Sequence, residues 1–123
     1  PQAPPPPPPV QQVERGPFII FFDHDKSEIT ASAEDILGRV VEVVKMGHAA
    51  ELDLQGFADT SGRKRYNQGL SERRVKAAKA YLIEKGIDAS RIVTSAFGET
   101  KLRVETADNV REPQNRRVEI RLP

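Results

Sequence analysis

Five apolar residues in a row, Phe18-Ile19-Ile20-Phe21-Phe22, begin the patterned part of the chain. A run this rich in β-formers, with no polar alternation, predicts a strand buried on both faces. It stops at Asp23-His24-Asp25-Lys26-Ser27, a polar turn. Thr30 or Ser32 is suited to cap a helix, with Glu34 and Asp35 in its first turn, where the macrodipole favours carboxylates. Ile36, Leu37, Val40, Val41 and Val44 recur at helical spacing, and Gly47 supplies the stop. Ala50, Leu52 and Leu54 then alternate with Glu51, Asp53 and Gln55, as in a strand with one buried face. A glycine-bounded loop, Gly56 to Gly62, leads into a second helix from about Arg65 to Lys85, closed by Gly86. Strand signals return at Arg91–Ala96 and Arg116–Leu122. The polar stretch between them, Gly98 to Gln114, carries Pro113 and is expected to be a long surface loop. The order β-α-β-α-β-β predicts an α/β (α+β sandwich) fold, a mixed four-stranded sheet with both helices packed on one face.

The second helix breaks its own pattern. At 100° per residue Tyr66, Leu70, Ala77 and Tyr81 cluster, with Ala78 and Leu82 continuing the stripe, and Arg74 falls in the middle of it. Asn67 lies two turns earlier on nearly the same line. An inward-facing arginine costs several kcal/mol unless paired, so a partner is expected nearby. Asp59, in the loop just before this helix, is the best candidate. Two readings stay open. The two side chains close a buried ion pair that orients the loop, or they stand a ligand's width apart and bind a zwitterion. In the second reading Asp59 takes an ammonium and Arg74 a carboxylate in a bidentate fork, with Asn67 adding an amide.

Composition narrows the chemistry. Nineteen basic and 18 acidic side chains give a net charge of +1, which argues against a dedicated nucleic-acid binder. The absence of cysteine rules out disulfides, Cys zinc sites and thiol catalysis. No apolar run approaches the ~18 residues of a membrane span, and no signal peptide is present. The chain starts without methionine inside a proline run, as a mature fragment or excised domain would. Pro4 to Pro9 predicts an extended polyproline II spacer, with an SH3- or WW-type ligand as the alternative. Residues 1–17 thus read as a proline-rich hinge and 18–123 as one domain.

Other constellations are weaker. Asp23-His24-Asp25 alternate direction and cannot all meet one ion, so a rim or turn role is preferred to metal binding or catalysis. His48 follows a helix stop. Gly56 to Gly62 lacks the lysine and spacing of a phosphate loop. Ser61 and Ser71 have no histidine base predicted near them. Arg63-Lys64-Arg65 with Arg73 and Arg74 has no interleaved aromatics and reads as a solvated face.

Gly56-Phe57-Ala58-Asp59, Gly62, Tyr66-Asn67, Leu70-Ser71 and Arg74 also form a known signature. With Tyr81-Leu82, Gly86-Ile87, Gly98-Glu99 and Asn115-Arg116-Arg117-Val118-Glu119-Ile120, they resemble the OmpA-like C-terminal domain. Phe22-Asp23-His24-Asp25-Lys26-Ser27 looks like its first strand and turn, so the resemblance spans Phe18 to Leu122. It implies a β-α-β-α-β-β sandwich that binds peptidoglycan non-covalently through the diaminopimelate of the stem peptide, without cofactor or catalysis. The family's invariant aspartate and arginine fall on Asp59 and Arg74. Asn67, Thr60, Asp25 and Arg116 are then expected to line the pocket, with Arg116 pointing inward and Arg117 the other way. Where family members often have Gly-His-Thr-Asp, this chain has Gly56-Phe57-Ala58-Asp59. The implied place is the periplasmic face of the outer membrane, tied through an N-terminal barrel or lipid anchor. A flagellar stator or peptidoglycan-associated lipoprotein module of the same family, and a cell-wall hydrolase, are the alternatives. Homodimerisation is left open.

Overall fold

The computed structural model describes residues 17–47 and 51–122. The proline-rich stretch up to residue 16, read above as a hinge, and His48 and Ala50 lie outside the described residues. The strands are β1 (Phe18–Phe21), β2 (Leu52–Gly56), β3 (Ile92–Ala96) and β4 (Arg117–Arg121). The helices are α1 (Ala31–Lys45) and α2 (Lys64–Glu84), with 3-10 turns at Ala89–Arg91 and Pro113–Asn115. The sheet runs β1-β4-β2-β3; β2 and β3 are parallel, and β4 is antiparallel to both of its neighbours. This is the mixed four-stranded sheet that the alternation predicts. Among the described residues no helix is long and apolar enough to cross a membrane.

Period-two alternation explains the core. Ile20 faces Val118 across β1–β4, and Leu54 faces Ile120 across β2–β4. These residues are fully buried and form one cluster with Leu37 and Val40 of α1 and Ala78 and Leu82 of α2. Thr30 caps α1 by accepting from the Ala33 amide at 3.1 Å, and Gly47, at φ +79°, ends the helical stretch.

Two expectations are corrected. The strand β1 is not buried on both faces: Phe18 and Ile20 are buried, Ile19 is half-buried and Phe21 is 39% exposed. Both helices lie on one side of the sheet, so the outward side chains of this edge strand have only partial cover, part of it from Arg103 over the Phe21 ring. The buried stripe of α2 is also rotated. It runs Asn67, Leu70, Ser71, Arg74, Val75, Ala78 and Leu82, while Tyr66 is exposed and Ala77 and Tyr81 are half-buried. Both tyrosines sit at its margin, their rings under the cations of Arg73 and Lys85. An amphipathic ring gains at such a boundary what a leucine would gain inside.

Two close fits place the site. A side chain at Gly56 would run into the Ser71 carbonyl and Val75, so the end of β2 lies directly against α2. On the opposite side the 97–112 loop is pinned down. The Asn115 side chain accepts from the Arg103 and Val104 amides and donates to the Val104 carbonyl, all at 2.8 Å.

Candidate functional site

The turn after β1, the loop after β2, the first turns of α2 and the end of the long loop enclose a cleft of about 260 Å³. Asp25, Asp59, Asn67 and Arg74 line it, four of the six residues expected there, together with His24, Ser61, Gly62, Tyr66, Leu70 and Arg111. A larger groove of about 620 Å³ between α2 and β3 contains none of the six.

Arg74 is fully buried, and its partners are backbone carbonyls rather than an acid. Nε donates to Lys26 at 2.9 Å, Nη1 to Phe57 at 3.1 Å and Nη2 to Asp23 at 3.2 Å. The guanidinium therefore gathers the β1–α1 turn and the end of β2 around itself, with the Phe22 ring packed 5.4 Å from its centre. Burial lowers its pKa to about 10, opposed by the charge of Asp59, so it remains a cation at neutral pH. Asp25 sits at the crest of that turn at φ +55°, a left-handed conformation that aspartate tolerates better than most residues. Its carboxylate accepts the Tyr66 hydroxyl across the cleft rim, and that bond raises the Tyr66 pKa.

Asp59 is held just as fully. Oδ1 accepts from the Ser61 amide at 3.1 Å and the Ser61 hydroxyl at 2.5 Å. Oδ2 accepts from the Glu112 amide at 3.2 Å and Arg116 Nη1 at 3.4 Å. The ion-pair partner of Asp59 is thus Arg116, whose Nε also donates to the Phe22 carbonyl at 3.0 Å. Asp59 and Arg74 lie within electrostatic reach of each other without an ion pair between them. Asn67 donates its amide to the Ser61 and Asp59 carbonyls and so shapes the loop from below.

Thr60 points elsewhere. Its hydroxyl donates to the Ala107 carbonyl at 2.7 Å and accepts the Val110 amide at 3.0 Å, tying the long loop to β2. Arg116 turns inward and Arg117 the other way, as strand alternation requires. Arg117 is nevertheless buried, its guanidinium 3.9 Å from the Phe57 ring centre and bound to Glu119 at 2.8 Å. Phe57 therefore occupies the sheet face opposite the cleft. The departure from Gly-His-Thr-Asp at this position changes packing under the long loop, where Phe57 stacks on Phe97.

Sequence reasoning missed Tyr66, Ser61 and Arg111 as cleft residues. Ser61 had a usable signal, since a serine two residues after an aspartate readily closes a local turn. Arg111 had none, because a polar loop carries no periodicity. Among the described residues no group of three or more His, Asp or Glu is arranged to hold a metal ion.

Residues 21–116 match the model of the OmpA family. The chain belongs to the OmpA family. As an OmpA-like domain it is of the non-catalytic, peptidoglycan-binding kind. It is 37% identical to an outer membrane protein of Gluconacetobacter diazotrophicus, over 84% of this chain and 29% of that protein. It is 35% identical to the peptidoglycan-associated lipoprotein of Haemophilus influenzae, over 80% of this chain and 64% of the lipoprotein. The fold matches the OmpA-like domain of FopA1 from Francisella tularensis with a TM-score of 0.75 at 26% identity, covering 83% of this chain and 68% of that one. The OmpA-like chain thus spans under a third of the first of these relatives and under two thirds of the second.

Proposed function

We propose that this domain grips peptidoglycan through the diaminopimelate of the stem peptide and, through the segment preceding Phe18, ties the outer membrane to the wall from its periplasmic face. Asp59 takes the ammonium of the diaminopimelate side-chain end, and Arg74 takes its carboxylate. Asp25 supplies a polar contact at the rim, Asn67 holds the Asp59 loop in place, Arg116 aims the Asp59 carboxylate, and Thr60 fixes the loop beside them.

The observation carrying this reading is that Asp59 and Arg74 line one cleft without an ion pair between them, each braced by other groups. Three of the five guanidinium N–H groups are used on carbonyls, so each terminal nitrogen of Arg74 retains one N–H for a carboxylate. The Ser61 hydroxyl is the rotatable donor on Asp59, and an incoming ammonium displaces it most cheaply. Arg74 has no exposed surface, so binding begins with the rim opening where Tyr66 meets Asp25.

Each charge-assisted contact contributes about 1.5–3 kcal/mol net. A few of them, less the cost of association, give roughly micromolar to millimolar affinity for one site. Many stem peptides on one polymer and many anchors on one membrane turn that weak grip into a firm one.

Pulldown with purified wall tests the assignment. Asp59→Asn keeps the shape but not the charge and is expected to reduce wall binding by about tenfold or more. It is also expected to abolish the response to free diaminopimelate while leaving circular dichroism unchanged. A folded Asp59→Asn protein that binds as the parent does, or parent protein indifferent to stripping the stem peptides from the wall, overturns the reading.

A further inference from the structure

The cleft holds one guanidinium that the assigned chemistry leaves idle. Arg74 is spent on three carbonyls and Arg116 on Asp59 and the Phe22 carbonyl. Arg111 lines the same cleft, is exposed, and has no hydrogen bond or ion pair to any described residue. A second loose end lies in the same wall. His24 Nδ1 is buried and has no hydrogen-bond partner among the described residues, although His24 itself is only half-buried. Buried polar atoms in native proteins are nearly always satisfied, so an orphaned ring nitrogen on a residue that lines a ligand cleft points to a partner supplied from outside once the rim opens. The two acids of the cleft, meanwhile, already have donors: Asp59 has four and Asp25 has Tyr66.

We infer that Arg111, with the orphaned ring nitrogen of His24 as a second contact, forms a carboxylate subsite at the rim that reads the main-chain end of the bound peptide. This rests on the proposed grip of diaminopimelate by Asp59 and Arg74. A stem peptide that ends at diaminopimelate carries, besides the zwitterion at its side-chain end, a free main-chain carboxylate. In a peptide extended or capped at that point, the carboxylate is replaced by an amide, which is neutral. A guanidinium fork distinguishes the two: it makes paired charge-assisted bonds to a carboxylate and only one weak bond to an amide oxygen. The domain accordingly prefers trimmed stem ends to extended ones, and Arg111 sets that preference.

The test uses two probes: a muramyl tripeptide ending in diaminopimelate with its main-chain carboxylate free, and the same peptide with that carboxylate converted to the primary amide. Affinities are measured by calorimetry for the parent, Arg111→Gln and Asp59→Asn. The parent is expected to bind the free acid about tenfold tighter than the amide. In Arg111→Gln that ratio falls to about one, because the acid weakens while the amide keeps its affinity. Asp59→Asn weakens both peptides and preserves the ratio. Because Arg111 has no partner within the described fold, its variant melts as the parent does. A parent that treats the two peptides alike, or an Arg111→Gln protein that still discriminates, overturns the subsite and leaves the diaminopimelate grip standing. A parent that takes up neither peptide at millimolar concentration overturns both.

Discussion

Arg74 organises the site more by what it holds than by what it exposes. Its three bonds go to the carbonyls of Asp23, Lys26 and Phe57, so it stitches two segments far apart in sequence. Removing it leaves those acceptors short of a donor in a dry setting. Arg74→Ala is therefore expected to destabilise the fold by on the order of 3 kcal/mol, read as a lower urea midpoint with an unchanged slope. Wall binding by that variant then reports on folding as well as contact, which is why Asp59→Asn is the cleaner probe of the site. That Arg74 faces inward was legible from periodicity alone, since a cation centred in an apolar stripe cannot be a surface residue. Its partners were not legible. A search for side-chain counter-charges points to Asp59, whereas the guanidinium is satisfied by carbonyls that every residue carries. The true partner of Asp59, Arg116, comes from the far end of the chain, where only a family resemblance pointed.

At the scale of elements, the contact between β2 and α2 decides where the charged residues meet. Gly56 allows the backbone of α2 at Ser71 to lie against the strand, which brings Asn67 and Arg74 up against the Asp59 loop and the end of β2. Gly56→Ala places a methyl group into that contact and is expected to cost about 1–3 kcal/mol. It is also expected to weaken wall binding beyond what the lost stability explains, measured by comparing melting temperature with pulldown. The helices followed from period 3.6, β2 from period two and β1 from its run of β-formers, and Gly47, read as the stop of α1, sits at positive φ. The exposure of β1 did not follow. An unbroken apolar run looks the same whether both faces are covered or one face is merely shielded by loop side chains. The anchors of the long loop, Thr60 and Asn115, were equally silent, because polarity marks a loop without saying what fastens it.

Across the whole molecule, the helix side of the sheet holds the apolar core and the loop side holds a polar, aromatic and charged layer. Glu99 lies where the two meet, in a small cavity it shares with Thr60, Phe97 and the first turns of α2 at Lys64 and Gln68. Its Oε2 is buried without a hydrogen-bond partner among the described residues, and burial raises its pKa above the ordinary glutamate value, with Lys64 opposing the shift. A carboxyl raised in the fold binds its proton more tightly there than in the unfolded chain. Its stabilising contribution is present below the ordinary glutamate range and is lost as pH rises through the raised value. Glu99→Gln is expected to melt higher than the parent at pH 7 and at the same temperature near pH 4, in a thermal series across that range.

The β1 strand begins at Phe18 and runs straight into the turn whose carbonyls clasp Arg74. In the proposed anchoring role, tension between a guest in the cleft and a tether ahead of Phe18 would load β1 lengthwise against the rest of the sheet. Because β1 pairs antiparallel with β4 over Phe18–Phe21, the pull shears four residue pairs together instead of unzipping them one at a time. The proposed grip, chemically weak at its tip, would in this way be mounted on the mechanically strong axis of the fold.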